Sequence, residues 1–375
     1  MKAQNRRLKP IPGLLAGIWQ SASMAWRAIF TSLGILIVLN FSILLLWGWY
    51  VLRHQSEPTV IGATFIPNYA RHFNLQPQET LDAIINDLGV RHLRLVSYWN
   101  IHEPKRGEYN FSELDWQFQM ARESGTKVSL AIGLRQPRWP ECHLPDWAQS
   151  MNKDEWYPEL KKYITKVVER YGDDPALESY QLENEFFLKA FGICPDHDRQ
   201  RLIEEYGLVK SLDDDTPVII SRSNNAMGWP VYDPIPDQYA VSVYKRVWDK
   251  TITKRYFEYP FPPQFYGALA AVSQITQNKT MFIHELQSEA WGSKDIKDLD
   301  ITEANKTMDA SKMRERIDYG AASGMKRLDL WGVEWWYYRK KVMGEHSLWI
   351  SARDKIEQAN LKENSYRYKI INQNQ

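Results

Sequence analysis

Residues 159–184 read ELKKYITKVVERYGDDPALESYQLEN and contain a pattern that recurs through most of the chain. The first half has the spacing of an amphipathic helix and closes at Gly172, because glycine readily adopts the backbone conformation that ends a helix. The second half, 177–184, has the length and composition of a buried strand. The segment KVSLAIG at 127–133 precedes the helix. Strand, helix and strand in this order predict parallel strands joined by helical crossovers.

The same alternation extends in both directions along the chain. Strands are predicted at 60–66, 90–97, 127–133, 177–184, 217–222, 239–244, 280–285 and 326–331. Helices are predicted at 79–89, 112–125, 159–172, 198–211, 263–277, 303–323 and 346–358. A doubly wound sheet would need a glycine-rich phosphate turn after the first strand, where only Gly62 occurs. Eight strands that alternate with helices therefore predict the α/β class and a (β/α)8 TIM barrel.

An uncharged apolar stretch precedes the barrel. Residues 28–52, ending IFTSLGILIVLNFSILLLWGWYVL, are long enough to cross a bilayer as one helix. The five charges before it are all basic, namely Lys2, Arg6, Arg7, Lys9 and Arg27. Positive flanks stay cytoplasmic, so 1–27 is expected in the cytoplasm and the rest of the chain outside the cell membrane, as a single-pass protein. A cleaved signal peptide is the alternative, although no small-residue cleavage site follows the stretch.

The remaining segments complete the expected domain organisation. Residues 53–59 are expected to be a polar linker, 60–358 the barrel, and 359–375 a loosely held polar tail. Without the five basic leader residues, 42 basic residues remain against 46 acidic ones. This balance does not indicate a nucleic-acid partner. The only cysteines, Cys142 and Cys194, are compatible with an oxidising exterior, as a pair or as two buried thiols.

Two of the predicted strands end in glutamate. Glu183 and Glu185 end the fourth strand with Asn184 between them, and strand alternation would place both on one side. Glu285 ends the seventh strand in MFIHELQSEAW. Barrel enzymes carry their chemistry at the carboxyl ends of strands. A retaining glycosidase needs two such carboxyl groups about 5 Å apart, one as acid/base and one as nucleophile.

In these segments the chain resembles glycoside hydrolase clan A, whose barrels include families 5, 35 and 42, over about residues 60–345. The segment QLENEFF at 181–187 resembles the clan motif that carries the acid/base, which implies this role for Glu185 and sugar 2-hydroxyl binding for Asn184. FIHELQSEAWG at 282–292 resembles the nucleophile segment, which implies Glu285.

The resemblance also implies supporting and substrate-binding residues. RHLRLVSYWNIHEPKRGEYNFSELD, from residue 91, matches a clan stretch with an arginine and then a tryptophan, here Arg94 and Trp99. A guanidinium beside Glu285 would hold that carboxyl group ionised. Tyr244 matches the tyrosine that bonds the nucleophile, and Trp331 the sugar platform. The neighbouring loops with the two cysteines could approach each other, and a disulfide there would stiffen the site.

Several alternatives stay open at this level. The two glutamates could be ordinary surface carboxylates, Glu183 a buried structural group, and Glu289 a weaker candidate for the nucleophile. His102, His143, His197 and His284 lack metal-ligand spacing, so no metal or cofactor is expected. The favoured hypothesis is a retaining β-glycosidase with a carbohydrate substrate. A transglycosylase and a carbohydrate-binding pseudoenzyme without turnover are the alternatives.

Overall fold

The structure is a computed structural model that describes residues 24–223, 233–250 and 252–373. Eight parallel strands, each hydrogen-bonded to two neighbours, close into a barrel in sequential order. The strands are β1 Val60–Thr64, β2 His92–Val96, β3 Lys127–Ile132, β4 Leu177–Leu182, β5 Val218–Arg222, β6 Gln238–Val243, β7 Met281–Gln287 and β8 Arg327–Trp331. Closure is direct, because Val60 of β1 pairs with Arg327 of β8. The predicted TIM barrel is confirmed, and each predicted strand boundary lies within two residues of the observed one.

Helices surround this barrel. They are α1 Met24–Arg53, α2 Pro67–His72, α3 Pro77–Asp82, α4 Trp99–His102, α5 Ser112–Ser124, α6 Lys153–Tyr171, α7 Arg199–Leu212, α8 Pro263–Gln277, α9 Ile301–Asn305, α10 Ala310–Ala322, α11 Val333–Lys341 and α12 Ser347–Gln373. A π-helical turn, Ala83–Asp87, extends α3, and short 3-10 turns lie at Asp146–Ala148 and Ile296–Asp298. An antiparallel hairpin, Arg246–Trp248 with Tyr256–Glu258, follows β6.

One of the helix predictions needs correction. The single helix predicted at 303–323 is two helices, α9 and α10, because Asp309 caps a new start by accepting a hydrogen bond from the backbone N–H of Lys312. The predicted helices included none between β5 and β6. Between β5 and β6 the described residues, 223 and 233–237, form no helix, and 224–232 lie outside the described ranges.

The C-terminal segment differs from the loose tail expected after residue 358. Helix α12 continues without interruption to Gln373. No glycine or proline interrupts NLKENSYRYKIINQ, and the Nδ2 of Asn360 donates to the backbone oxygen of Gly89 at 2.8 Å. The ion pair of Glu363 with Arg367, four residues apart, favours the helix further. The polar composition of this segment therefore gave no indication that it forms a helix attached to the barrel.

The apolar N-terminal stretch is one helix, α1, long and apolar enough to span a membrane or to be a signal sequence. Residues 1–23, with most of the basic leader, lie outside the described ranges. The last turns of α1 pack on the barrel. The indole of Trp47 donates to the backbone oxygen of Ala322 at 2.9 Å, and Tyr50 is only 2% exposed. Gly267 leaves room for Trp47, because a Cβ there would lie 2.5 Å from the indole ring.

Candidate active site

Glu285 lies in β7 at the carboxyl end of the barrel, with both of its oxygens bound by donors. Its Oε1 accepts from Nη1 of Arg94 at 2.6 Å, and its Oε2 accepts from the Tyr244 hydroxyl at 2.7 Å. The side chain is 3% exposed. One donor is the cationic Arg94 of β2 and the other is Tyr244, which directly follows β6, so the carboxylate is held in a single orientation. An oriented carboxylate is what attack on an anomeric carbon requires.

Glu185 follows the end of β4 in a strained turn. The strand stops at Leu182, and both Glu183 and Glu185 have left-handed backbones, with φ of 52° and 45°. Non-glycine residues rarely adopt this conformation, and such strain concentrates at functional sites. The expectation that strand alternation places the two glutamates on one side is wrong, because the strand geometry has already ended.

The turn separates the environments of these two glutamates. Glu183 is fully buried and accepts two hydrogen bonds from the guanidinium of Arg201 in α7, at 3.0 and 3.1 Å. It also accepts from the backbone N–H groups of Leu134 and Arg135. Glu183 is therefore a structural carboxylate that connects β4 to the loop after β3. Its basic partner is Arg201.

Glu185 has no such partners. Among the residues that the structure describes, none hydrogen-bonds its Oε1. Burial raises the pKa of Glu185, and the nearby charge of Glu285 raises it further, to about 7. Ser242 is a common neighbour, since it opposes the rise in the pKa of Glu185 and its hydroxyl lies 3.5 Å from Oε2 of Glu285. A carboxyl group that keeps its proton near neutrality, beside one held by a guanidinium and a hydroxyl group, matches an acid and nucleophile pair.

A polar network below the two carboxyl groups joins them. Arg94 in β2 donates to three acceptors: Glu285, Oδ1 of Asn184 at 2.8 Å, and Oε1 of Gln181. The amide of Gln181 also donates to Asn184, at 3.1 Å. Arg94, Asn184, Glu185, Tyr244 and Glu285 were singled out from the sequence, and the structure brings all five together. Gln181 and Ser242 belong to the same cluster but carried no motif that would identify them.

A further carboxyl group, Glu141, was missed. It is 4% exposed, its Oε2 accepts from Nδ2 of Asn184 at 3.3 Å, and it lies 3.6 Å from the guanidinium of Arg135. Burial raises the pKa of Glu141 to about 8 against the opposing effect of Arg135, with contributions from both Glu185 and Glu285. The site therefore contains three carboxyl groups. The unusual segment PRWPEC was the one indication in the sequence.

The cysteines beside these groups are joined. Cys142 and Cys194 form a disulfide across 52 positions, which links the loops after β3 and β4. Arg135 lies against this link and donates to the backbone oxygens of Asn184 and Phe191. The disulfide therefore restrains the two loops that supply Glu141 and Glu185.

The two predicted aromatic contacts with substrate are placed differently from the expectation. Trp99 is completely buried in the core, its indole donates to Glu103 and its ring packs on Trp147, so it does not line the cleft. Trp331 ends β8 but is only 5% exposed, and the guanidinium carbon of Arg138 lies 4.1 Å from its ring centroid. The face of Trp331 that Arg138 covers is not open for sugar stacking.

Groups that could hold a metal ion are absent from the described residues. His102, His143 and His284 are buried, and burial lowers the pKa of each, to about 4 for His143. His197 hydrogen-bonds the backbone oxygen of Phe186. These histidines are neutral packing groups at neutral pH.

Comparison with known proteins agrees with this geometry. A glycoside hydrolase family 42 model, described as β-galactosidase, matches residues 73–215, which include β2 to β4. β-Galactosidase Bga of Halorubrum lacusprofundi is 24% identical over 177 residues, covering 41% of this chain and 25% of that protein. β-Galactosidase 14 of Arabidopsis thaliana is 23% identical over 159 residues, covering 37% of this chain and 18% of that protein. The chain thus spans a quarter or less of the length of these relatives.

A solved structure extends the similarity to the whole barrel. A GH5_18 protein from Bifidobacterium longum subsp. longum, in complex with Manb1-4GlcNAc, superposes with a TM-score of 0.55 at 10% identity. The alignment covers 80% of this chain and 78% of that one. At this identity the likeness concerns the fold. Fold, family model and relatives together support a clan A barrel glycosidase that resembles families 5 and 42.

Proposed function

We propose that this chain is a glycoside hydrolase that cleaves β-linked sugars with retention of configuration, with Glu185 as the acid/base and Glu285 as the nucleophile. The observation that carries the proposal is the contrast between the two carboxyl groups. Glu285 is held by Arg94 and Tyr244, whereas Oε1 of Glu185 has no partner among the described residues and its pKa is raised to about 7. Neighbouring carboxyl groups whose pKa values are driven apart mark an acid and base assignment.

In the first step, an oxygen of Glu285 attacks the anomeric carbon while the bond from that carbon to the leaving oxygen breaks. Glu185 transfers its proton to the leaving oxygen, so the aglycone departs as a neutral alcohol. Arg94 and Tyr244 fix the nucleophile, so that its attacking oxygen does not need to reorient.

In the second step, Glu185 is a carboxylate and removes a proton from water as the water attacks the glycosyl ester. The ester bond to Glu285 breaks, the sugar leaves with its original configuration, and both carboxyl groups return to their starting states. Because Glu285 is neutral as an ester, the repulsion that raised the pKa of Glu185 is removed at the moment when a base is needed. Replacement of water by a sugar hydroxyl in this step would give transglycosylation.

The test is a screen of aryl β-glycosides, beginning with galactosides and mannosides, followed by trapping with the matching 2-deoxy-2-fluoro glycoside. We expect a mass increase of one fluorosugar on the peptide that contains Glu285. Glu285→Gln should lower kcat by a factor on the order of 10⁴ or more and abolish labelling. Glu123→Gln, on an exposed face of α5, is the matched control. Full turnover in Glu285→Gln, or a label on Glu289, would remove the assignment.

We also propose that α1 is retained as a membrane anchor and that the barrel lies outside the cytoplasm. The disulfide supports an oxidising compartment, and the basic leader supports a cytoplasmic N-terminus. Retention is supported by the docking of Trp47 and Tyr50, since cleavage after α1 would uncover the surface beneath them. We expect the full chain in carbonate-washed membranes. A soluble chain that begins after residue 53 would indicate a signal peptide instead.

A further inference from the structure

The proposed mechanism leaves one buried carboxyl group of the site without a role. Glu141, in the loop after β3, is 4% exposed. Its Oε2 accepts from Nδ2 of Asn184 at 3.3 Å and lies 3.6 Å from the guanidinium of Arg135. Burial, together with the charges of Glu185 and Glu285, raises the pKa of Glu141 to about 8 against the effect of Arg135. Glu141 is therefore neutral at neutral pH and can accept a hydrogen bond without adding a charge to the site.

The two loops around Glu141 hold it in one place. Its backbone N–H and backbone oxygen are both hydrogen-bonded within the loop after β3. Its φ is 74°, in the left-handed region that non-glycine residues rarely adopt. The loop after β4 approaches so closely that a Cβ on Gly192 would lie 2.7 Å from the Cβ of Glu141. The Cys142–Cys194 disulfide joins the two loops directly beside it. A strained residue enclosed in this way has a fixed direction for its side chain.

Asn184 is the side chain that Glu141 contacts, and the oxygen of its amide is already occupied. Oδ1 of Asn184 accepts from Nη2 of Arg94 at 2.8 Å and from the amide of Gln181 at 3.1 Å. Both partners are donors, so the oxygen must face them and the amide nitrogen must face Glu141. An amide nitrogen carries two hydrogens, and the bond to Glu141 uses one of them. Asn184 can therefore offer its second N–H, but not its oxygen, to a bound ligand.

Asn184 also connects the two proposed catalytic carboxyl groups. It directly precedes Glu185 in the chain, and Arg94 donates both to its Oδ1 and to Oε1 of Glu285, at 2.8 and 2.6 Å. The carbon that Glu285 attacks is bonded to the carbon that carries the sugar 2-hydroxyl, so a donor beside Glu285 is within reach of that hydroxyl. Hydrogen bonds to the 2-hydroxyl become stronger in the transition state of glycoside hydrolysis. The direction of the second N–H of Asn184 therefore affects the chemical step and not only binding.

We infer that Glu141 is a positioning residue, which directs the second N–H of Asn184 toward the 2-hydroxyl of the sugar that becomes bonded to Glu285. This inference rests on the proposed glycosidase function. Glu141 fixes the nitrogen side of the amide, while Arg94 and Gln181 fix its oxygen side. The contribution of Glu141 depends on the 2-hydroxyl and is absent from substrates that lack it.

The first experiment compares two substrates, an aryl β-glycoside that the unaltered chain hydrolyses and its 2-deoxy analogue. Glu141→Leu should lower kcat/KM about 10- to 100-fold on the first substrate, with a fall in kcat, and less than about threefold on the analogue. Asp82→Leu is the matched control and should change neither, because it removes an exposed carboxylate that accepts from Nδ2 of another asparagine, Asn86, at 2.7 Å. Equal losses on the two substrates would overturn the inference.

The second experiment asks whether Glu141 acts through Asn184. Glu141→Gln should recover most of the loss seen in Glu141→Leu, because an amide oxygen accepts from Asn184 as the neutral acid does. Adding Glu141→Leu to Asn184→Ala should lower kcat/KM no further than Asn184→Ala alone, since the two residues act as a unit. A Glu141→Gln chain as impaired as Glu141→Leu, or losses that multiply in the double variant, would overturn the inference.

Circular dichroism and thermal unfolding establish which variants are folded. If Glu141→Leu does not fold, Glu141→Asp decides, because it keeps the carboxyl group but withdraws it from Asn184. Its loss in kcat/KM should again be larger on the substrate with the 2-hydroxyl than on the 2-deoxy analogue, and equal losses would overturn the inference. An unaltered chain that hydrolyses no aryl glycoside would instead contradict the proposed function.

Discussion

The two ends of the barrel each contain a glutamate with charged neighbours, yet the pKa values of these two glutamates move in opposite directions. At the amino end, near the start of β4, Glu178 accepts from Arg327 and from Nδ1 of His92. Burial alone would raise its pKa, but Arg327 and His92 together lower it to about 2. At the carboxyl end, the pKa of Glu185 is raised to about 7.

The two sites differ in which carboxylate is paired with the arginine. Arg327 is committed to Glu178 and Asp329 at the amino end. At the carboxyl end, Arg94 is committed to Glu285, and Glu185 is left beside a negative neighbour. Composition does not separate these sites, because both consist of arginine and glutamate. A paired carboxylate stabilises the fold, while an unpaired one is costly to the fold and is available for proton transfer.

The largest expected effect comes from removing the unpaired carboxyl. Glu185→Ala should lower kcat by about 10²- to 10⁴-fold on glycosides with poor leaving groups and much less on activated aryl glycosides, which need no proton. In the unaltered chain, kcat/KM on poor leaving groups should fall above about pH 7, as Glu185 loses its proton, and the variant should lack this limb. Steady-state rates across pH measure both. Equal losses on both kinds of leaving group would contradict an acid role.

The next largest effects are on the free energy of unfolding, and they have opposite signs for substitutions at Glu178 and at Glu185. Glu178→Gln should lower the free energy of unfolding by about 1–3 kcal/mol, because it removes one of the two carboxylates that pair with the partly buried Arg327 and leaves only Asp329. Glu185→Gln should raise it by about 1–3 kcal/mol at pH 8, because it removes a buried charge beside Glu285. Urea unfolding of the full chain in detergent, with α1 present, measures both changes in stability. A change of the same sign in the free energy of unfolding of both variants would contradict the difference drawn between the two glutamates.

The pH dependence of these changes has a definite sign. The folded-state pKa of Glu178 lies below its ordinary value of 4.5, so its contribution is present above about pH 4.5 and is lost as the pH falls toward 2. The folded-state pKa of Glu185 lies above 4.5, so its cost develops as the pH rises from about 4.5 to 7. The Glu185→Gln gain should therefore vanish at pH 4.

The smallest effect tests one hydrogen bond. Tyr244→Phe removes the hydroxyl that donates to Glu285 at 2.7 Å and should lower kcat/KM by about 10- to 100-fold, as expected for a bond to a charged group. Tyr180→Phe is the matched control. The Tyr180 hydroxyl also donates to a carboxylate, that of Asp213, at 3.1 Å, and this hydrogen bond lies away from the barrel mouth. That control should leave kinetics unchanged. Similar losses in both variants would point to packing and not to the nucleophile.

The strands, their order and the barrel could all be read from local patterns, because each apolar run is bounded by helix and turn residues within a few positions. Glu185 and Glu285 also stood out, since each ends an apolar run. Glu183 could not be separated from Glu185 by alternation, because the left-handed turn after Leu182 is a consequence of contacts with Arg201 and the β3 loop. The expectation that Trp99 contacts substrate was not met for a similar reason, since its motif does not indicate that its ring lies in the core.

Sequence alone determined the apolar helix, the alternation of strands and helices, and the strands that end in carboxyl groups, because periodicity and chain length are local properties. Tertiary structure decided which carboxyl has a cationic partner, that Glu141 joins the site, that Arg138 covers Trp331, and that the last turns of α1 pack on the barrel. The physical reason is the separation along the chain over which each kind of interaction acts. Hydrophobic patterning acts within one element, whereas ion pairing and burial depend on residues that only the closed barrel brings together.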